Sequence, residues 1–211
     1  MSEELLPKEI IIELIKIIPS ILWVIFLTIL VLVFLKPIKN ILIPQLSEIK
    51  AFGIEAKFIK EELAKAARKN PEVKEAALDQ VTHRAQRITS IIQGARLLLV
   101  NDIPEEMINV QRILQSLGVI VDVARTTKSA LNMLANTEYD VIVSDMSRDG
   151  VPDEGLRFIH ESIKRGLYRP IIFTVANFDP SRGVPAYAFG ITNRVDEMLN
   201  LIFDVLERTK G

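Results

Sequence analysis

Residues 140–150 read DVIVSDMSRDG, an apolar run that ends in the carboxylate of Asp145. The run Val141–Val143 is typical of a buried strand, and a charged loop with a glycine follows it. A carboxylate at the edge of a core is costly unless a partner binds it. The stretch therefore predicts either a solvated strand end or helix cap, or a binding site at the carboxyl edge of a parallel sheet.

Strand and helix patterns alternate on both sides of this stretch, from Gly94 to the C-terminus. Helical patterns such as PEEMINVQRILQSLG separate short apolar runs, with Pro104 near a first turn and Gly118 as a stop signal. The predicted strands lie at residues 96–100, 119–124, 140–145, 170–175 and 188–192. The alternation predicts an α/β fold, a five-stranded parallel sheet with helices on both faces.

Polar residues follow several of the predicted strands. Asp102 comes after the first strand, Asp145 ends the third, and Thr174 ends the fourth. Because the carboxyl ends of parallel strands share one edge, these side chains are expected to converge there. Two acids with backbone carbonyls favour a hard cation such as Mg²⁺. A carboxylate beside such a cation can attack phosphorus, and a nearby hydroxyl can bind the new phosphoryl oxygen.

The C-terminal segment resembles the receiver domain of bacterial response regulators over roughly residues 95–208. The stretches LLLVNDIPEE, DVIVSDMSRDG and PIIFTVAN carry the resemblance, in the order and at the spacing usual for that family. It implies a flavodoxin-like fold in which Asp145 accepts a phosphoryl group from a histidine kinase. The same resemblance implies a Mg²⁺ site formed by Asp102, Asp145 and the backbone carbonyl of Ser147, with Thr174 as the switch hydroxyl.

Two departures from the family pattern bear on this function. The acidic pair after the first strand is Asn101-Asp102 here, so Asn101 is at best a weak, uncharged ligand. The fifth strand continues as GITNRVDEML, without the lysine that the family places there. Arg194 is the nearest cation and is a candidate substitute, although arginine and lysine differ in geometry. Two hypotheses stay open: phosphorylation at Asp145, or a pseudo-receiver that acts only as a membrane scaffold or interaction module.

Other classes of function fit the residues poorly. A phosphohydrolase of the haloacid dehalogenase type needs a second acid where Ser147 stands, and a dinucleotide site needs a glycine-rich turn where VNDIPEE stands. The chain has no cysteine, and its net charge of −1 gives no field that favours nucleic acid. We therefore expect no enzyme, no nucleic-acid partner, and signalling by contact with an unidentified downstream protein.

The N-terminal part of the chain contains a long apolar run that the C-terminal segment lacks. Residues 17–35, IIPSILWVIFLTILVLVFL, carry no charge and match the length of a bilayer-spanning helix. More lysines follow this run than precede it, which favours a cytoplasmic C-terminal side. The sequence thus predicts an N-terminal segment with a single transmembrane helix at residues 1–36, and the resemblance to bacterial response regulators implies a bacterial inner membrane.

The region between is predicted to be a juxtamembrane and helical linker at residues 37–93, ahead of a receiver-like domain at 94–211. A thin apolar stripe runs along its helical part, at Val73, Ala77, Val81, Ile88 and Ile92. The stripe suits a helix that pairs with a second copy of itself to form a homodimer. A single solvated helix that holds the next domain off the membrane is the alternative.

Overall fold

The structure is a computed structural model that describes residues 8–37, 43–68 and 73–211. Residues 1–7, 38–42 and 69–72, parts of the predicted N-terminal and linker segments, lie outside the described residues. The chain divides into two compact units between Phe52 and Gly53. The predicted boundary at 93/94 differs from this division, because helices of the predicted linker pack into the core of the second unit.

The first unit contains helix α1 (Lys8–Pro37), which includes the apolar stretch that the sequence predicts to cross a membrane. Its large apolar side chains from Ile18 to Val31 are exposed. In the portions of the chain that the structure describes, no helix has both the length and the apolarity that a membrane span requires. The transmembrane prediction is therefore not supported by the structure.

Helix α2 (Ile43–Ala67) reaches from the first unit into the second. The following strands are β1 (Arg96–Val100), β2 (Ile120–Ala124), β3 (Val141–Asp145), β4 (Ile171–Thr174) and β5 (Gly190–Thr192). The following helices are α3 (Glu75–Ile92), α4 (Ile108–Ser116), α5 (Thr127–Asn136), α6 (Glu154–Lys164) and α7 (Val195–Lys210). Short 3₁₀ turns at Pro104–Met107 and Pro180–Arg182 precede α4 and β5.

The five strands form one parallel sheet in the order β2-β1-β3-β4-β5. This is the flavodoxin-like strand order, and it confirms the predicted α/β sheet. Chain order reverses between β1 and β3, so a crevice is expected at the carboxyl ends of these two strands. The loops after β1 and β3 are the ones that carry Asn101, Asp102 and Asp145.

Alternate side chains of each strand enter cores on opposite faces of the sheet. Leu97 and Leu99 of β1 join the core formed with α2, α3, α4 and α7. Leu98 and Val100 join the core formed with α5 and α6. Burial on both faces explains why the strand sequences are continuously apolar. In a strand with one exposed face, apolar and polar residues alternate.

Helix α3 packs against α7 of the same chain rather than standing free. Its buried apolar residues follow the spacing of one helical face: Leu78, Val81, Ala85, Ile88 and Ile92. The predicted stripe had included Val73 and Ala77 and had missed Leu78 and Ala85. The stripe is thus covered within the chain, which corrects the expectation that it pairs with a second copy.

A polar cluster at Arg84 reinforces the contact between α3 and α7. The Arg84 guanidinium donates to Asn200 Oδ1 at 3.1 Å and to Asp204 Oδ1 at 2.5 Å, and it also pairs with Glu207. It lies 5.7 Å from the centre of the Phe203 ring. This cluster fixes the position of α3 along α7, because each of these partners lies on one face of α7.

Candidate functional site

Strand pairing places the predicted site residues at one edge of the sheet. Asp145 pairs in register with Thr174 on β4, and Thr174 pairs with Thr192 on β5. Asn101 directly follows β1, whose last residue pairs with the residue before Asp145. The polar ends of four strands therefore meet at the carboxyl edge, as the sequence predicts.

A cavity of about 380 Å³ opens at this edge. Its walls include Asn101, Asp145, Thr174 and Arg194, together with Glu106 from the turn before α4. Four of the predicted site residues thus share one cavity, whereas Asp102 and Ser147 do not line it. Apolar residues also line the cavity: Ala66 of α2, Met107 just before α4, Val110 of α4, and Val195 and Met198 of α7.

Asp145 is half-buried, and its surroundings act on its charge in both directions. Burial raises the pKa of its carboxyl group, while hydrogen bonds from the backbone N–H groups of Ser147 and Met146 lower it. The positive charge of Arg148 lowers the pKa further, and the negative charge of Asp102 raises it. The net pKa is above the ordinary aspartate value, because the effect of burial outweighs that of the groups that lower it.

The two residues after β1 each use one oxygen to hold the surrounding loops. Asn101 Oδ1 accepts the N–H of Ile103 at 2.7 Å, and Asp102 Oδ2 accepts the N–H of Asp149 at 2.9 Å. Asp149 has a φ of 51°, a left-handed conformation that lets the loop after β3 turn back towards Asp102. The Asp102 contact therefore ties the loop after β1 to the loop that follows β3.

The oxygens at this edge suit a hard divalent cation with few protein ligands. In the described residues, no group of three or more histidine, cysteine, aspartate or glutamate side chains is arranged to hold a metal ion. Mg²⁺ is commonly bound by only one or two carboxylates plus waters and phosphate oxygens. Asp145 and Asp102, whose charges act on each other, fit that requirement, with the Asn101 amide as an uncharged neighbour.

The end of β5 has no lysine, and its polar groups are engaged with one another. Thr192 is buried, donates its hydroxyl to Glu197 Oε2 at 2.6 Å, and accepts the N–H of Arg194 at 3.0 Å. Arg194 lines the cavity, but its guanidinium donates to both oxygens of Asp196, at 3.1 and 2.5 Å. The candidate lysine substitute is therefore held by a neighbouring carboxylate.

Arg148, three residues after Asp145, is a site residue that no pattern in the sequence singles out. It lies in a charged loop, SRDG, that reads as exposed, yet its side chain is among the largest fully buried ones of the described residues. A single charged residue in a loop gives no periodic signal for burial. Its position directly after β3 nevertheless makes it part of the site.

Gly155, near the start of α6, packs directly against the loop that follows β3. A Cβ atom there would lie 2.9 Å from Phe173 Cε1, 3.0 Å from Met146 Cα and 3.2 Å from the carbonyl oxygen of Asp145. We expect Gly155→Ala to destabilise the fold by about 1–3 kcal/mol, despite the better helix propensity of alanine, because backbone atoms must move. The free energy of unfolding in urea measures this.

The control is Gly150→Ala, which adds the same methyl group in open space at a φ of 75°. Backbone strain alone is expected to cost about 1–2 kcal/mol there. If Gly155→Ala were neutral, the close packing of α6 on the loop that follows β3 would be contradicted.

No protein-family model and no curated protein matches the chain. Among solved structures, the receiver domain of the Francisella response regulator 1452 is similar, at 21% identity and a TM-score of 0.49, over 56% of this chain and 100% of that one. Response regulator TrrA from Thermotoga maritima, in complex with Mg²⁺-BeF, matches at 23% identity and a TM-score of 0.45, over 53% and 98%. Chemotaxis response regulator CheY4 of Vibrio cholerae matches at 22% and 0.46, over 54% and 99%. The structural neighbours are thus response-regulator receiver domains.

Proposed function

We propose that this chain is a receiver that accepts a phosphoryl group on Asp145 in a Mg²⁺-dependent phosphorelay and signals by protein contact. The observation that carries the proposal is the shared cavity at the carboxyl edge of the sheet. Asp145, Thr174 and Asn101 line it, so a carboxylate, a hydroxyl and an amide surround one space. The resemblance in sequence names the same residues for these roles.

In the proposed reaction, one carboxylate oxygen of Asp145 forms a bond to phosphorus as the bond between phosphorus and the donor nitrogen breaks. The backbone groups of Ser147 and Met146, together with the positive charge of Arg148, favour the ionised form of the carboxylate. The Thr174 hydroxyl, next to Asp145 in register, donates to an oxygen of the transferred group. Bound Mg²⁺ would supply positive charge to the transferred group. The donor is proposed to be a histidine kinase; one similar structure is histidine kinase ThkA in complex with TrrA.

The pseudo-receiver is the second candidate, and the end of β5 favours it. The lysine typical of the family is missing there. The guanidinium of Arg194 donates to both oxygens of Asp196. A site with so little cationic charge binds a phosphoryl group less strongly. In this case the domain would act only by binding other proteins.

Labelling with a small phosphodonor separates the two candidates. The full chain is incubated with the donor and Mg²⁺, and the protein is searched for an acid-stable, base-labile adduct. An adduct on Asp145 that is absent from Asp145→Asn and present in Asp149→Asn supports the receiver. A folded chain that binds Mg²⁺ but takes no label from any phosphodonor points to the pseudo-receiver.

We expect Arg194→Ala to slow labelling only about two- to threefold. Its guanidinium is committed to Asp196, so little of its charge is available to the transferred group. The initial rate of adduct formation measures the effect, with Arg194→Lys as the charge-preserving control. A loss of tenfold or more in Arg194→Ala would instead assign Arg194 the role of the missing lysine.

Location at a bacterial inner membrane, with the second unit in the cytoplasm, is proposed from residues 17–35 and the lysines that follow them. The length of residues 17–35 and their lack of charge support it. Membrane fractionation of cells that express the full chain tests this, with an alkaline wash to remove peripheral proteins. Recovery of the chain in the wash would contradict a spanning anchor.

A further inference from the structure

A buried arginine lies directly beneath the proposed acceptor. The side chain of Arg148 is 1% exposed, although arginine is almost never fully buried unless it is paired. Its backbone pairs with Val151 in a short bridge, so the loop after β3 closes over its own side chain. The loss of hydration of a buried guanidinium costs free energy, which its hydrogen bonds and nearby negative charges must offset.

The guanidinium of Arg148 joins three elements around the site. One nitrogen, Nη1, donates to Ser144 Oγ at 2.6 Å and to the backbone carbonyl of Asp145. The other, Nη2, donates to Thr127 Oγ1 at 3.0 Å and to the backbone carbonyl of Glu154 at 3.3 Å. Arg148 therefore links the end of β3 to the first residues of α5 and α6.

The charge of Arg148 is balanced by acids around the site. Burial lowers its pKa, while the negative charges of Glu154, Asp145, Asp102 and Asp149 raise it. The guanidinium also lies 5.8 Å from the centre of the Phe158 ring, whose face attracts a cation. In return, the positive charge of Arg148 favours the ionised form of Asp145.

We propose that Arg148 is a positioning residue for Asp145, and that it provides the fixed positive charge that the end of β5 lacks in this chain. Its hydrogen bond to the carbonyl of Asp145 holds the peptide that precedes Met146 and Ser147. The N–H of that peptide, which belongs to Met146, donates to the carbonyl of Thr174 at 2.9 Å, so both sides of the peptide are held and the backbone of Asp145 is fixed. The inference rests on the proposed function, because the geometry it maintains is that of the acceptor.

Two substitutions separate the charge of Arg148 from its hydrogen bonds. Arg148→Met removes both, while Arg148→Lys keeps the charge but loses the planar fork that reaches two groups at once. Arg157→Met is the matched control, since Arg157 is exposed and pairs with Glu154 at 2.9 Å. The full chain is used, with two readouts: the labelling rate from a small phosphodonor at saturating Mg²⁺, and the titration midpoint of the Asp145 carboxyl carbon by NMR.

The charged groups that face Asp145 are otherwise unchanged in these variants. They are Asp102 after β1, Glu106 before α4, and Arg194 before α7, so a shift of the midpoint reports on Arg148 itself. Arg148→Met is expected to slow labelling roughly tenfold or more and to move the midpoint to higher pH. Arg148→Lys is expected to restore the midpoint but not the rate, and Arg157→Met to change neither.

Folded Arg148→Met with the wild-type rate and midpoint would overturn the proposal. If Arg148→Met does not fold, Thr127→Val decides, because it removes one acceptor of Nη2 and leaves the charge in place. It is expected to slow labelling with no shift of the midpoint, and an unchanged rate overturns the proposal. If the wild type takes no label, the proposed function fails, whereas the midpoint in Arg148→Met still tests whether Arg148 acts on Asp145.

Discussion

Substituting aspartate for Ile88 is expected to destabilise the second unit by roughly 3–5 kcal/mol. Ile88 lies in α3, is 1% exposed, and belongs to the core shared with α7. The substitution removes a buried apolar side chain and places a carboxylate among the apolar side chains of this core. Because single domains are stable by only about 5–15 kcal/mol, much of the folded population is expected to be lost. The urea midpoint by circular dichroism measures the loss.

Ile91→Asp is the matched control, since it makes the same change three residues further along α3. Ile91 is 39% exposed, so the expected change is within about 1 kcal/mol. Equal effects of the two variants would contradict the packing of α3 on α7. The contrast also tests the boundary of the folded unit, because a free linker helix would tolerate both substitutions.

The sheet was largely predictable from the sequence. Each strand is a short apolar run bounded by polar residues, and each helix between them shows an apolar face, so the alternation leaves few topologies. Even the irregular connection from β4 to β5 follows from its proline and glycine content; residues 175–189 contain a 3₁₀ turn, Pro180–Arg182, as their sole helical segment.

The role of α3 was less predictable. Periodicity identifies an apolar face but does not say what covers that face, and a thin stripe suits a second copy as well as a neighbouring helix. The decisive partners are on α7, about 120 residues later in the chain, where Asp204 and Glu207 meet Arg84. Such a contact between distant segments leaves no local signal in the sequence.

The site was predictable at the level of strand ends and not at the level of side-chain direction. Register brings Asp145 and Thr174 together in any parallel sheet with this strand order. The directions of Asp102 and Arg148 depend instead on a loop that turns at Asp149 and Gly150, both with positive φ. Asp102 consequently contacts that loop, and Arg148 turns inward beneath the acceptor.

The last prediction is that Asp145→Asn loses all labelling and yet raises the melting temperature of the Mg²⁺-free chain at neutral pH, by about 1–3 °C. Burial raises the pKa of Asp145 above its ordinary value. When the pKa of an acid is higher in the folded state than in the unfolded state, the folded state favours the protonated acid. Its ionised form therefore destabilises the fold. This penalty appears as pH rises past the ordinary aspartate pKa and is complete above the folded value. The gain from asparagine is therefore expected at neutral pH and not well below pH 4.

Magnesium is expected to reverse the order of the melting temperatures of wild type and Asp145→Asn. A cation that binds the folded site and not the unfolded chain stabilises by mass action, so Mg²⁺ should raise the melting temperature of the wild type. Asp145→Asn, which lacks one of the two carboxylates, should respond little. Thermal scans of both proteins across a Mg²⁺ series, with Asp149→Asn as the control for charge, measure this. If Mg²⁺ raised the melting temperatures of wild type and Asp145→Asn equally, magnesium would bind away from Asp145. A cation shared by the carboxylates of Asp102 and Asp145 would lose one of its two ligands in Asp145→Asn.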